Sequence, residues 1–355
     1  MKRKLSAIAV ALALGCALNS AARAFDNDAT VTQSGNDNSA VVTQTNGGGS
    51  TATVSQTGDR NTASVSQTRF GFAPSASVSS TGNDNSATIL QDSTNNSSAS
   101  ISQTGNANAA TINQLPIELS RFSNDATASI TQQGNGNSAL INQVGTNCNG
   151  CGGNAASATI RQVNNSSDSH AQIDQNGPAL RTTALIDQKS AFTSNARVTQ
   201  TGEDHNATVV QDFVSLANAF IDQQGARNSA TVSQTNAVNR SSATILQNGN
   251  DNVASHSAAF NSNDNTSLIQ QTGNANNASV VQGKVPEKAG DPGSATWNEA
   301  HITQNGSANV ATIGQFGLGT AANPNQATIT QTGSSNNAAI TQHGGAGNSA
   351  VVTQN

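Results

Sequence analysis

The sequence predicts an all-β chain, a two-sheet β-solenoid of about 13 rungs with two short strands per rung stacked parallel and in register. Three observations predict it. The first is a repeat: Q-x-G-x-x-N-x-A-x-x-x-Q runs from Gln33 to Gln44 and returns at Gln56 to Gln67, Gln103 to Gln114, Gln132 to Gln143, Gln223 to Gln234, Gln271 to Gln282, Gln304 to Gln315 and Gln331 to Gln342. The second is the alternation inside each repeat, which places Ala, Val or Ile, and Gln two residues apart and therefore on one face of a strand. The third is composition. Hydrophobic residues are 34%, charged residues 10% and aromatics 3%, with no Tyr, whereas ordinary domains are about 45–50% apolar and about 25% charged. A conventional core is excluded by the first figure, and charge-driven disorder by the second.

In chain order, residues 1–24 read as a signal peptide. Met1-Lys-Arg-Lys4 is basic, Leu5 to Leu18 is apolar, and Ala22-Arg-Ala24 is a small-x-small cleavage signal before Phe25. The apolar run is too short for a spanning helix. The flanks of Cys16 fit lipid attachment poorly. The chain is thus expected to be exported and secreted, with residues 25–355 forming one repeat domain.

The first strand units are Ala29-Thr-Val31-Thr-Gln33, Ala40-Val-Val42-Thr-Gln44, Ala52-Thr-Val54-Ser-Gln56 and Ala63-Ser-Val65-Ser-Gln67. β-Branched residues at period two, bounded by Gly and Asn, signal strands; no helical apolar stripe survives that punctuation. Successive Gln residues are separated by about 11 or 12 positions, of which about six form strand, and G-x-x-N reverses the chain using Gly and Asn for the positive φ angles. Before residue 143 the tight turns follow one alternate set of strands, and from Gln200 onward the other set. At roughly 4.8 Å per rung the stack would be on the order of 60 Å long.

Departures from the unit are few. Ser80 replaces Gln, Ser267 replaces Ala, His205 takes an Asn slot, and Ala254-Ser-His256-Ser-Ala258 puts His256 at an apolar inward position, which marks the weakest rung. Inserted loops are expected near 115–123, 144–153, 283–297 and 316–324, between strands. Cys148 and Cys151 lie in one of them; export permits a disulfide there, and two thiols are too few for a zinc site.

The pattern resembles the repeat of the curlin family, the secreted subunits of curli, functional amyloid fibres on bacterial surfaces. The resemblance covers nearly all of residues 27–355. It implies that Gln33, Asn38, Gln44, Gln56, Asn61, Gln67, Gln103, Asn108, Gln114, Gln331, Asn336, Gln342 and Gln354 form inward ladders of self-assembly. It also implies a fibre, or pilus-like appendage, for biofilm matrix and cell adhesion. Implied partners are the chain itself, a nucleator subunit and an outer-membrane secretion channel.

The ends carry the functional expectation. Soluble solenoids close their ends with polar capping repeats, whereas here the repeat starts at Asn27 and continues to Gln354. Open rungs template another chain, so head-to-tail stacking is expected to give an unclosed fibre. Enzyme chemistry is not expected, because the acidic residues fall mostly in turns (Asp37, Asp59, Asp84, Asp251) or insertions. Asp174, Asp187 and Asp222 are expected to face outward, with Asp187 beside Arg161 in a solvated pair. The five histidines share no metal spacing, so neither a metal nor another cofactor is expected. A net charge of −5 gives no footprint for nucleic acid. The rival readings are an ice-binding solenoid using outward Thr-x-Thr ladders, a monomeric adhesin arm and a disordered polar tract.

Overall fold

A computed structural model describes residues 11–12, 26–45, 48–69, 72–116, 123–145, 156–259, 262–283 and 296–355. Among these there is no α-helix. The chain divides into two compact units, Met1–Asp168 with Gln172–Arg181, and Ser169–Ala171 with Thr182–Asn355. Each is a two-sheet parallel β-solenoid.

In the first unit one sheet stacks Asp28–Ser34, Thr51–Thr57, Ser75–Thr81, Ser98–Asn106, Thr127–Asn135 and Ser157–Ser167. The facing sheet stacks Ser39–Gln44, Thr62–Thr68, Ser86–Asp92, Ala109–Leu115 and Ser138–Val144, with His170–Leu180 following. In the second unit one sheet runs Thr183–Phe192, Asn206–Ser215, Ser229–Asn239, Val253–Ala259, Asn277–Gln282, Val310–Phe316 and Asn337–His343. Its partner runs Asn195–Glu203, Asn218–Ala226, Ser242–Asn250, Thr266–Asn274, Asn298–Ser307, Asn325–Ser334 and Ser349–Gln354. Within each unit the tight turns all follow strands of one sheet.

Pairing is in register: Ala on Ala, Val or Ile on the same slot, Gln on Gln. The core is therefore a set of columns. Ile89, Ile101, Ile112, Ile130, Ile141, Ile160, Ile173, Ile186, Ile221, Ile245, Ile269 and Ile302 are fully buried, each stabilising the fold by about 1.5–3 kcal/mol. Small Ala in the neighbouring column lets the two sheets approach closely.

The corners depart from expectation. Gly35, Gly58, Gly82 and Gly105 do take positive φ, but the second positive φ falls on the residue before the Asn slot: Asp37, Arg60, Asp84, Ala107, Arg227 and Asp251 before Asn, and Asp204 before His205. At these G-x-x-N corners the Asn does not supply it, because its side chain is occupied bridging to the next rung; elsewhere Asn96, Asn164, Asn165 and Asn236 do take positive φ. The corners also continue the ladder. Gly105 pairs with Gly134, and many strands run through the corner to nine or more residues, as in Ser98–Asn106 and Ser229–Asn239. Of the expected insertions, 117–122, 146–155 and 284–295 lie outside the described residues, with both Cys148 and Cys151. The loop 316–324 is described: Leu318 bridges Thr296, and Gly319 N–H donates to Thr296 O at 2.8 Å.

Candidate functional site: amide ladders and terminal rungs

Along the uninterrupted columns an inward Gln makes two kinds of bond. Its Nε2 donates to Oε1 of the Gln one rung later: Gln33 to Gln56 at 2.7 Å, Gln44 to Gln67 at 2.9 Å, Gln67 to Gln91 at 2.8 Å, Gln103 to Gln132 at 3.0 Å and Gln114 to Gln143 at 2.9 Å. In the second unit Gln223 donates to Gln247, Gln304 to Gln331 and Gln315 to Gln342, all at 2.9 Å, and Gln331 donates to Gln354 at 2.8 Å. The other N–H crosses the core to a carbonyl at the start of the facing strand, as from Gln67 to Thr51 O at 3.0 Å and Gln354 to Asn337 O at 3.0 Å. The amide thus joins rung to rung and sheet to sheet while leaving no buried donor unmet. Sequence reading anticipated the first bond and missed the second.

The corner Asn works similarly. Asn38 Nδ2 donates to Gly58 O at 2.7 Å while its Oδ1 accepts the Asn61 N–H at 2.9 Å. Asn61 and Asn108 repeat this toward Gly82 O and Gly134 O, both at 2.8 Å. Asn336 instead turns its amide to Thr332 O of its own corner at 2.8 Å. His205 imitates the Asn it replaces: Nδ1 accepts the Asn228 N–H at 3.3 Å and Nε2 lies 3.1 Å from Thr201 O. That tautomer keeps the proton on Nε2. Burial holds the His205 pKa below its ordinary value, against bonds to Thr201 and Gly225 and the charge of Asp204.

Two ladder defects stand out. Ser80 shortens one column but keeps contact, its Oγ donating to Gln103 Oε1 at 3.1 Å. Ala258 breaks another, leaving the buried Gln282 Oε1 without a partner. In that same strand His256 is buried, and burial lowers its pKa to about 4. His256 Nδ1 lies 2.8 Å from Ser267 Oγ, while Nε2 has no partner. The two oddities of His256 and Ser267 are therefore one compensating pair across the core.

The outward slots correct one expectation. Asp174 and Asp187 are each only 6% exposed and are not solvated. Asp174 ends an outward amide ladder, accepting from Asn142 at 2.8 Å and Gln172 at 2.7 Å, with Asn113 donating to Asn142 at 2.9 Å. Asp187 Oδ2 pairs with Lys189 Nζ at 2.9 Å. Asp222 is half-buried. Desolvation raises its pKa, against a bond with Gln224 and the charge of Arg197. Arg197 lies 5.9 Å over the Phe220 ring. On the corners Arg60–Asp84, Arg227–Asp251 and Arg240–Asp264 form two-pronged pairs at 2.7–2.8 Å. No group of three or more potential metal ligands occurs among the described residues.

At the terminal rungs the inward positions of one strand at each end lose cover, while those of Ser39–Gln44 and Asn337–His343 stay buried. Ala29, Val31 and Gln33, and likewise Ala350, Val352 and Gln354, are half-exposed, whereas their interior equivalents are buried. The backbone of Ala11–Leu12, within the expected signal peptide, pairs parallel with Val41–Val42.

The family model of the curlin associated repeat matches six segments: residues 26–58, 50–82, 82–115, 124–148, 296–323 and 322–355. No curated protein matches the chain.

Proposed function

The chain belongs to the curlin family, a family of structural subunits, and from that premise we propose that it polymerises head to tail into curli-like extracellular amyloid fibres. The observation that carries this reading is the state of the terminal rungs. The inward Ala, Val and Gln of Asp28–Ser34 at one end and of Ser349–Gln354 at the other are half-exposed, and the Gln ladder has a direction. Gln33 and Gln44 begin it with an acceptor, Oε1, facing away from the stack; Gln342 and Gln354 end it with Nε2 donors. A second copy supplies the missing partner at each end, together with a rung of backbone bonds. Because the two ends differ, the contact is heterologous and does not close.

In this reading the chain leaves the cell through its signal peptide and an outer-membrane channel, starts on a nucleator, and serves biofilm matrix and surface adhesion. Gln33, Asn38, Gln44, Gln56, Asn61, Gln67, Gln103, Asn108, Gln114, Gln331, Asn336, Gln342 and Gln354 are its assembly residues. Thioflavin-T kinetics with electron microscopy of the exported chain test it; fibres are expected, and a monomer that persists for days overturns it.

One observation favours a second reading. The outward columns Thr30–Thr53–Ser77–Ser100–Ser129–Thr159 and Thr32–Ser55–Ser79–Ser102–Thr131 carry only hydroxyls, the second ending where Arg161 follows Thr131, an array able to order water. Thermal hysteresis of a persistent monomer separates it from an adhesin arm.

A further inference from the structure

Strands Ser39–Gln44 and Ser349–Gln354 have the same sequence, Ser-Ala-Val-Val-Thr-Gln. Each also exposes an apolar side chain at the same outward slot, Val41 at 43% and Val351 at 68%. Within the repeat stack their neighbours in that slot are polar, Ser64 for Val41 and Thr328 for Val351; on its other side Val41 meets only Ala11. Parallel in-register stacking places identical residues on one another, so these two strands are mutually complementary at every position, and each valine covers the other.

Resting on the fibre reading above, we propose that Ser349–Gln354 of one copy docks on the edge of Ser39–Gln44 of a second copy, in register, Ser349 on Ser39 through Gln354 on Gln44. The edge is competent for a parallel strand, since Ala11–Leu12 already pairs with Val41–Val42. Val351–Val352 take those same places, so the signal peptide holds the docking edge until it is removed. Asn337–Gln342 then falls on Asp28–Gln33, with Ala338 on Ala29, Ile340 on Val31 and Gln342 on Gln33. The corners follow, Asn348 meeting Asn38. Polarity agrees. Gln331 donates Nε2 to Gln354 and Gln44 donates onward to Gln67, which leaves Gln354 Nε2 to donate to Gln44 Oε1 of the second copy. Two last rungs would set donor against donor, and two first rungs acceptor against acceptor.

The test uses the exported chain, which lacks residues 1–24 and hence Cys16, with Cys148 and Cys151 changed to Ser. Val41→Cys and Val351→Cys are placed in separate chains, mixed and oxidised during fibre growth. In-register neighbours are within disulfide reach, so a Val41→Cys/Val351→Cys heterodimer is the expected product, and none with Thr30→Cys in place of Val41→Cys. Fibres lacking that crosslink, or crosslinked through Thr30→Cys, overturn the register while leaving polymerisation standing. Folded chains that never assemble overturn both. A second pair of variants removes any dependence on cysteine. Val41→Lys with Val351→Lys sets like charges at every junction and slows elongation, whereas Val41→Lys with Val351→Glu restores it. Equal rates for the two variants overturn the register.

Discussion

His256 sits where its column calls for Val, between Val232 and Val280. The imidazole is buried, bonded on one side to Ser267 and unmet on the other. Removing one member of this pair strands the other. Ser267→Ala should therefore destabilise by roughly 1–3 kcal/mol, while the double variant His256→Val with Ser267→Ala should be more stable than the parent. Additive single effects in that cycle would show the pair to be uncoupled. The pH dependence follows from the same burial. The folded pKa of about 4 lies below the unfolded value of about 6.5, so the unfolded chain binds the proton first. Stability is complete above about pH 6.5 and falls by up to about 3 kcal/mol as pH drops to about 4. His205 acts in the same direction, since its Nδ1 must stay an acceptor. Guanidinium midpoints between pH 4.5 and 7 should slope less steeply in His256→Val; an unchanged slope would assign the effect elsewhere.

At the scale of strand and corner, the backbone crowds most where Gly meets Gly. A Cβ on Gly225, at φ +106°, would run into the carbonyl oxygen of Gly249 one rung on. Gly333, at φ +96°, belongs to the last such corner, and a Cβ there would come no nearer than 3.7 Å to the Asn355 carbonyl carbon. Gly333→Ala should cost only its backbone strain, roughly 1–3 kcal/mol, and Gly225→Ala distinctly more, as read by denaturation midpoints. The strands themselves were legible in the sequence, because Ala, Val or Ile, and Gln recur at period two with few interruptions. The corners were only half legible. Composition points to Asn as the residue of positive φ, whereas the stack needs its amide as a bridge and moves the strained angle to Asp37, Arg60 or Ala107. Burial of Asp174 and Asp187 was not legible, since an outward slot reads as solvent until neighbouring ladders such as Asn113–Asn142 are seen. Nor was the His256–Ser267 contact, which joins residues of two facing strands.

In the proposed head-to-tail fibre, what matters at the scale of the molecule is that its two ends differ and can be disabled separately. Val31 and Val352 are inward residues of the terminal rungs and only half-exposed, so Lys at either leaves the other rungs intact. A charge pointing into a sheet edge blocks further pairing. Val352→Lys should add to a growing fibre through its unaltered first rung and then present a dead end, so that small amounts stop growth at one fibre end. Val31→Lys should stop the other. Neither should polymerise alone, because each junction needs one intact end of each kind. Mixed in equal amounts, the intact first rung of one variant meets the intact last rung of the other, and the product is a heterodimer that grows no further. Sedimentation of the mixture should show that dimer and of each variant a monomer. Growth of Val352→Lys alone at the parent rate would mean that the fibre is not built by stacking these rungs end to end.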